Sequence, residues 1–283
     1  MQHLSLVLPT NLMDELLLSL QSEESVQIYD LSAQEDWQVA FQTSDGTKGL
    51  AQRLDELRRR EEQLEKAIQA LEPFIPQKKG LEKLKEAPLS LSFQELESHG
   101  LIRDEQRLLQ SVQKQLAVLA KARNRIKLAQ EEVSSLEKWV DLTTTPDQLK
   151  RFRYVRGLIG TIPNSEQDQA RQALLAHPDV EVDVVFSSET EHGVVVLYKS
   201  GDLTDLQDTL TSSHFKEFDY QGEILPKERL EQLKREIKEQ GAVETATLET
   251  LSQAKEDLNQ LKYQLDYVLS LGAREEAKGS LAS

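Results

Sequence analysis

The chain is 283 residues long, a length that suits roughly two domains. Its formal net charge of −15, from 34 basic against 49 acidic residues, repels DNA, RNA and anionic lipid, which argues against nucleic-acid binding and broad adsorption to membranes. There is no cysteine, so disulfides and thiolate metal sites are excluded and a reducing cytosolic setting is permitted. A hydrophobic share of 38% suits elongated helices that bury one narrow stripe, and 5% aromatics leave large cores unlikely outside small lobes. Met1 to Leu8 has neither the basic flank nor the apolar run of a signal peptide. The apolar run Val194 to Tyr198 falls far short of the ~20 residues of a membrane span, so the chain reads as soluble.

The first ~40 residues read as a β-α-β unit. His3 to Leu8 is a strand, Thr10 a candidate N-cap, Leu12, Leu16, Leu17 and Leu20 a helical stripe, and Val26 to Leu31 a second strand. Asp45-Gly46 marks a turn. Heptads follow at Leu50, Leu54, Leu57, Leu64, Ile68 and Leu71, interrupted by Glu61 and stopped by Pro73 and Pro76. A looser stretch runs through Gly80, Pro88 and Gly100. The second long helix carries Leu109, Val112, Leu116, Leu119, Ile126, Val133 and Val140, with drift toward Ala122, Ala129 and Leu136.

The pattern then changes to short elements. Tyr154 to Thr161 is a strand, and Asn164 with Gln167 has the spacing of a capping box before a short helix. Val180 to Ser187 alternates, with Val182, Val184 and Phe186 expected on one face. His192 to Lys199 is apolar on both faces, as in a central strand. Leu203, Leu206 and Leu210 mark a helix and Phe215 to Tyr220 a last strand, completing the β-α-β-β-α-β order of a ferredoxin-like lobe. A third long helix begins after Pro226, led by Leu230, Leu233 and Ile237 and continued by Leu251, Leu258, Leu261, Leu265 and Val268. Its weak joint is expected around Gly241 and Thr245 to Thr247.

The fold class expected is α+β, mostly α: a long antiparallel coiled-coil hairpin joining two small α/β lobes in a dumbbell. The domains are an N-terminal lobe over 1–46, coiled-coil helices over 47–142 with a break near 73–100, a distal ferredoxin-like lobe over 143–222, and a returning helix over 223–283.

No catalytic constellation is legible. His3, His99, His177, His192 and His214 are scattered without metal-ligand spacing, and Gly46-Thr47-Lys48-Gly49 lacks the upstream glycine of a phosphate-binding loop. Cofactors, metal ions and small-molecule substrates are therefore not expected. Two basic clusters stand against the acidic background. Lys121, Arg123, Arg125 and Lys127 read as a solvated helix face with intrahelical ion pairs. Lys150, Arg151, Arg153 and Arg156, at the base of the lobe, are the candidate docking surface for an acidic partner.

The stretch Tyr154 to Pro163, the strand ending in Val194-Val195-Val196, the N-terminal β-α-β pattern and the heptads between them carry a resemblance. Together they resemble the cytoplasmic N-terminal part of subunit I of prokaryotic V/A-type ATP synthases, the counterpart of eukaryotic V-ATPase subunit a. Gly160-Thr161-Ile162-Pro163 is the most specific piece. The resemblance implies a non-catalytic stator arm at the cytoplasmic face of the cell membrane. Its implied partners are the E and G subunits of the peripheral stalks, with the membrane half of the same subunit and the rotor ring in the full protein. Family members return to the first lobe and add strands before their membrane helices, so an incomplete N-terminal lobe in an excerpt of a longer membrane protein is expected. The alternative is a stand-alone coiled-coil adaptor or tether with a ferredoxin-like head; an enzyme ranks third.

Overall fold

The computed structural model describes residues 9–23, 47–76, 93–100, 104–165, 168–199 and 204–279. The expected strands at His3 to Leu8 and Val26 to Leu31, the Asp45-Gly46 turn, Gly80, Pro88, Gln167, Leu203 and the tail 280–283 lie outside these residues. Among the described residues the chain is mostly helical with one four-stranded antiparallel sheet. It divides into two compact units, one of Met1–Ala120 with Thr245–Ser283 and the other of Lys121–Glu244.

The first unit is helical among the described residues. Its helices are α1 (Met13–Ser22), α2 (Thr47–Leu71), α3 (Phe93–Gly100), the first part of α4 (Glu105–Leu136), the end of α8 (Pro226–Gln253) and α9 (Lys255–Gly279). A 3-10 turn, Thr10–Leu12, precedes α1, so Leu12 rather than Thr10 holds the N-cap position. Gly100 belongs to α3 and not to a loose connection. Pro73 sits in a 3-10 turn, Glu72–Phe74, directly after α2, as a residue that cannot donate to a helical ladder should.

The leucine stripe of α2 (Leu64, Ile68, Leu71, with Ala67) packs with Leu109, Val112 and Leu119 of α4 and with Leu251, Leu258, Leu261 and Val268. Arg53 pairs with Glu275 at 2.8 Å and Glu72 with Lys262 at 2.9 Å, so α2 and α9 run antiparallel. Arg60 grips Glu105 with two bonds, at 3.2 and 2.7 Å. That contact holds the Arg60 guanidinium above its ordinary pKa.

The expected weak joint is elsewhere. Helix α8 runs unbroken through Gly241 to Gln253, and Thr247 is buried in it. One glycine costs a helix only about 1 kcal/mol, which partner packing outweighs. The break falls at Ala254, whose N–H donates to Leu251 O (3.2 Å), three residues back, while Leu258 N–H returns to Ala254 O (3.0 Å).

The second unit contains the sheet. Strands β1 (Val155–Pro163), β2 (Val180–Ser187), β3 (Glu191–Lys199) and β4 (Lys216–Glu217) lie in the order β2-β3-β1-β4, all neighbours antiparallel. Helix α6 (Gln169–Leu175) follows β1 and α7 (Thr204–Ser212) follows β3. This is the split β-α-β arrangement that the sequence pattern suggests. One sheet face buries Ile162, Val194 and Val196 with Leu174 of α6. The other buries Ile159 and Val195 under Trp139, Leu142 and Leu149. Hence β3 is apolar on both faces because both are covered.

Phe186 departs from expectation. Val182 and Val184 pack with the α6 side, but the register shifts between Val184 and Phe186. The extra residue of a bulge turns the following side chain to the opposite face. Phe186 therefore lies edge-on against Trp139, with centroids 4.9 Å apart. Strand β4 is also shorter than expected. Only Lys216 and Glu217 form it, while Phe218 stacks on Trp139 (4.3 Å) and on Tyr220 (5.5 Å).

The glycines of the Tyr154 to Pro163 stretch now have a physical reason. A Cβ on Gly160 would stand 2.3 Å from the Lys216 carbonyl oxygen and 2.4 Å from the Phe215 ring. Only glycine admits β4 so close to β1.

Candidate docking surface

The segment holding the second basic cluster is positioned by a short helix, α5 (Pro146–Lys150). Its start is a full capping box. Gln148 N–H donates to Thr145 Oγ1 (3.2 Å), and Thr145 N–H donates to Gln148 Oε1 (3.1 Å). Thr145 is fully buried and Pro146 occupies the first turn. Thr145-Pro146-Asp147-Gln148 is a legible start signal that the sequence reading missed. The reading placed the box at Asn164 instead. There the side-chain amide donates to Ser188 O (2.7 Å) and the backbone N–H to Thr190 O (2.9 Å), pinning the β2–β3 turn. The N-cap position of α6 is Asp168, at φ 49°.

Leu149 anchors α5 under the sheet, and the chain then emerges. Lys150, Arg151, Arg153 and Arg156 are all exposed. Lys150 Nζ is 3.4 Å from Asp147 Oδ1, one turn back on α5. Arg151 pairs with Glu223. The Arg153 guanidinium lies 5.6 Å from the Tyr154 ring centroid, within cation–π range. Among the described residues neither Arg153 nor Arg156 has a carboxylate partner. Two large apolar side chains interleave with these cations: Phe152 is 55% exposed and Tyr154 75%. The cations are legible in the sequence, whereas the exposure of the two aromatics is set by the fold.

The first basic cluster has a different fate. Arg123 bonds Glu244 across to α8 at 2.7 Å, Arg125 bonds Glu236 on the same helix, and Lys127 reaches Glu131 on its own helix at 3.8 Å. The pairs of Arg123 and Arg125 are therefore interhelical, not intrahelical as expected. Arg229 adds a two-bond contact to Glu132, at 2.6 and 2.8 Å. Residue numbers rise on α4 as they fall on α8, so these parts of the helices run antiparallel.

His192 Nδ1 is 2.8 Å from Ser187 Oγ, and His192 Nε2 is 3.5 Å from Asp168 Oδ1. The order Ser-His-Asp suggests a proton relay, yet Ser187 and His192 are simply cross-strand partners. Among the described residues no three His, Asp or Glu side chains could hold a metal ion. No described helix is long and apolar enough to cross a membrane.

No family model matches the sequence, and no curated protein matches it. Among solved structures, the chain is similar to the cytoplasmic N-terminal domain of subunit I, homolog of subunit a, of V-ATPase, at 15% identity and a TM-score of 0.49, over 97% of this chain and 88% of that one.

Proposed function

We propose that this chain is a non-catalytic stator arm of a rotary V/A-type ATPase. It links the membrane ion-translocating part to the E and G peripheral stalks, so that ATP hydrolysis or synthesis stays coupled to proton or sodium transport. The observation that supports this reading is the split β-α-β lobe carried between α4 and α8, with Gly160 and Thr161 at its close-packed β1–β4 contact. An arm that resists torque needs helices whose register is fixed and a lobe that offers a surface; it needs no active site. The arm works at the cytoplasmic face of the cell membrane, and the exposed cations Arg153 and Arg156 face the stalk.

The test is co-purification of this chain with E and G subunits at low and moderate salt. Stable capture that weakens with salt supports the reading. Failure to bind either subunit sinks it and favours a stand-alone tether.

A further inference from the structure

Strand β1 is paired unevenly along its two edges. Against β3 it is paired throughout, from Val155 with Lys199 to Pro163 with Glu191. Against β4 only Gly160 and Thr161 are paired, and Ile159 O accepts from Phe218 N–H at 2.8 Å. In an antiparallel ladder the N–H and C=O of one residue point to the same side, and the side alternates along the strand. Since Ile159 points to the β4 side, Gly157 and Val155 do too. No β4 residue reaches them, because the chain leaves the ladder at Phe218: Tyr220 N–H turns back to Phe218 O (2.9 Å). Among the described residues the first half of β1 is thus an open edge, and it lies next to Phe152, Arg153, Tyr154 and Arg156.

Open edges invite another strand, and proteins commonly guard them with charge. Here the guard is positive. It repels a second copy of this cluster and attracts an extended segment of opposite charge. Exposed Tyr and Arg side chains together are also what binding hot spots favour. We propose that Val155 to Leu158 accepts an extended, acidic segment of a partner protein as an added strand, with Arg153 and Arg156 pairing its carboxylates and Phe152 and Tyr154 covering its apolar side chains. The inference builds on the docking role given above to this cluster. It specifies main-chain pairing, which that role does not require.

The test uses the full chain and a fluorescein-labelled nine-residue peptide alternating glutamate with valine, read by anisotropy. Two perturbations remove main-chain bonds while leaving charge intact. One is Val155→Pro, which deletes an N–H that points away from β3, at the first residue of a strand, where proline is tolerated. The other is N-methylation of two successive central peptide residues, which blocks whichever peptide edge meets β1. Each should weaken binding roughly tenfold, as loss of a main-chain bond or two would, and Arg153→Glu with Arg156→Glu should weaken it further. Should Val155→Pro fail to fold, the methylated peptide alone decides. Binding indifferent to methylation overturns strand addition and leaves a purely electrostatic surface; absence of peptide binding overturns it as well. Capture of E and G subunits alongside either negative result would preserve the stator reading. Peptide pairing without such capture would support the added strand and sink the stator reading.

Discussion

Replacing single glycines by alanine should give effects of opposite sign, graded by what the new Cβ meets. At Gly160 it meets the Lys216 carbonyl oxygen at 2.3 Å, about 1 Å inside an ordinary C–H···O contact. That oxygen belongs to the backbone of a two-residue strand, so relief requires β4 to move and its ladder to stretch. Overpacking costs about 1–3 kcal/mol and a lost ladder bond about 1 kcal/mol more, against a gain of up to ~1 kcal/mol from stiffening the unfolded chain. The net expectation is a loss of about 1–4 kcal/mol. At Gly193 the obstacle is the Phe186 ring, 2.0 Å away, which can turn at the expense of its edge-on contact with Trp139. A loss of about 1–2 kcal/mol follows. At Gly157 the Cβ meets only the ends of Leu149 and Leu197 at 2.9 Å, and the change should be near neutral. At Gly241 it meets nothing within 4 Å, and the helix should gain up to about 1 kcal/mol.

The assay is urea unfolding followed by Trp139 fluorescence in a Trp37→Phe background, where Trp139 is the sole indole and reports on its own unit. Midpoints should order as Gly241→Ala, wild type with Gly157→Ala, Gly193→Ala, then Gly160→Ala, at constant denaturant slope. If Gly160→Ala equals or exceeds wild type in stability, close approach of β4 is not the reason for glycine there. If Gly241→Ala destabilises, the helix is not continuous through 241 and the sequence-derived joint is restored.

Three further outcomes are expected. Trp139→Ala should cost about 3–5 kcal/mol in a calorimetric or denaturant scan, since a nearly fully buried indole covering one sheet face is lost. A double-mutant cycle on Arg229→Ala and Glu132→Ala should give a coupling of about 0.5–1 kcal/mol, discounted because the pair is partly solvated, and a coupling beyond about 3 kcal/mol would mean the pair is far less solvated than its exposure indicates. Burial pushes the Tyr220 phenol above its ordinary value near 10.0, with Arg229 opposing and Glu132 and Glu228 assisting. The neutral phenol is thus favoured in the fold, so its contribution is complete below pH 10 and is lost as pH rises through the folded-state value. Tyr220→Phe should flatten part of the stability decline above pH 10; an unchanged alkaline limb would refute that role.

The lobe was legible because its strands are short, β-branched and separated by turn residues. Val180 to Ser187 was read with correct bounds, and the two-sided burial of Val194 to Leu197 was read from composition alone. Periodicity failed where one residue breaks its count. The bulge at Val184 sends Phe186 to the Trp139 face, and nothing in an alternating pattern announces an inserted residue. The stripe of α4 was half legible. Up to Leu119 the heptad positions Leu109, Val112 and Leu119 are buried; beyond it Ala122, Ala129 and Leu136 are the buried positions of α4 and Val140 is exposed, so there the drift is the seam. A heptad count favours large residues, whereas close helix approach selects alanine. The docking segment was legible as charge and not as surface, because exposure of Phe152 and Tyr154 depends on where α5 ends.

What fixes the lobe on its helices within the second unit follows from comparing two kinds of contact. Arg123, Arg125 and Arg229 tie α4 to α8 through partly solvated ion pairs, each worth about 1 kcal/mol or less. Such pairs tune a register but cannot set it against thermal motion. The apolar set of Ala129, Leu136, Leu230 and Leu233 sets it, and Phe218 and Tyr220 pack against that set. Phe218 also belongs to the cluster under the sheet and stacks on Trp139. One side chain is therefore shared by the two cores. Force applied at the sheet reaches the helix pair through Trp139, Phe218 and Tyr220: the Phe218 N–H bond to Ile159 O holds Phe218 opposite Ile159, on the same Trp139 face. After Phe218 the chain turns back on itself, which leaves the first half of β1 without a ladder partner on that side among the described residues. Lys216 to Tyr220 thus seats the lobe on its helix pair and, where it turns away from β1, leaves the edge to which the proposed partner strand would add.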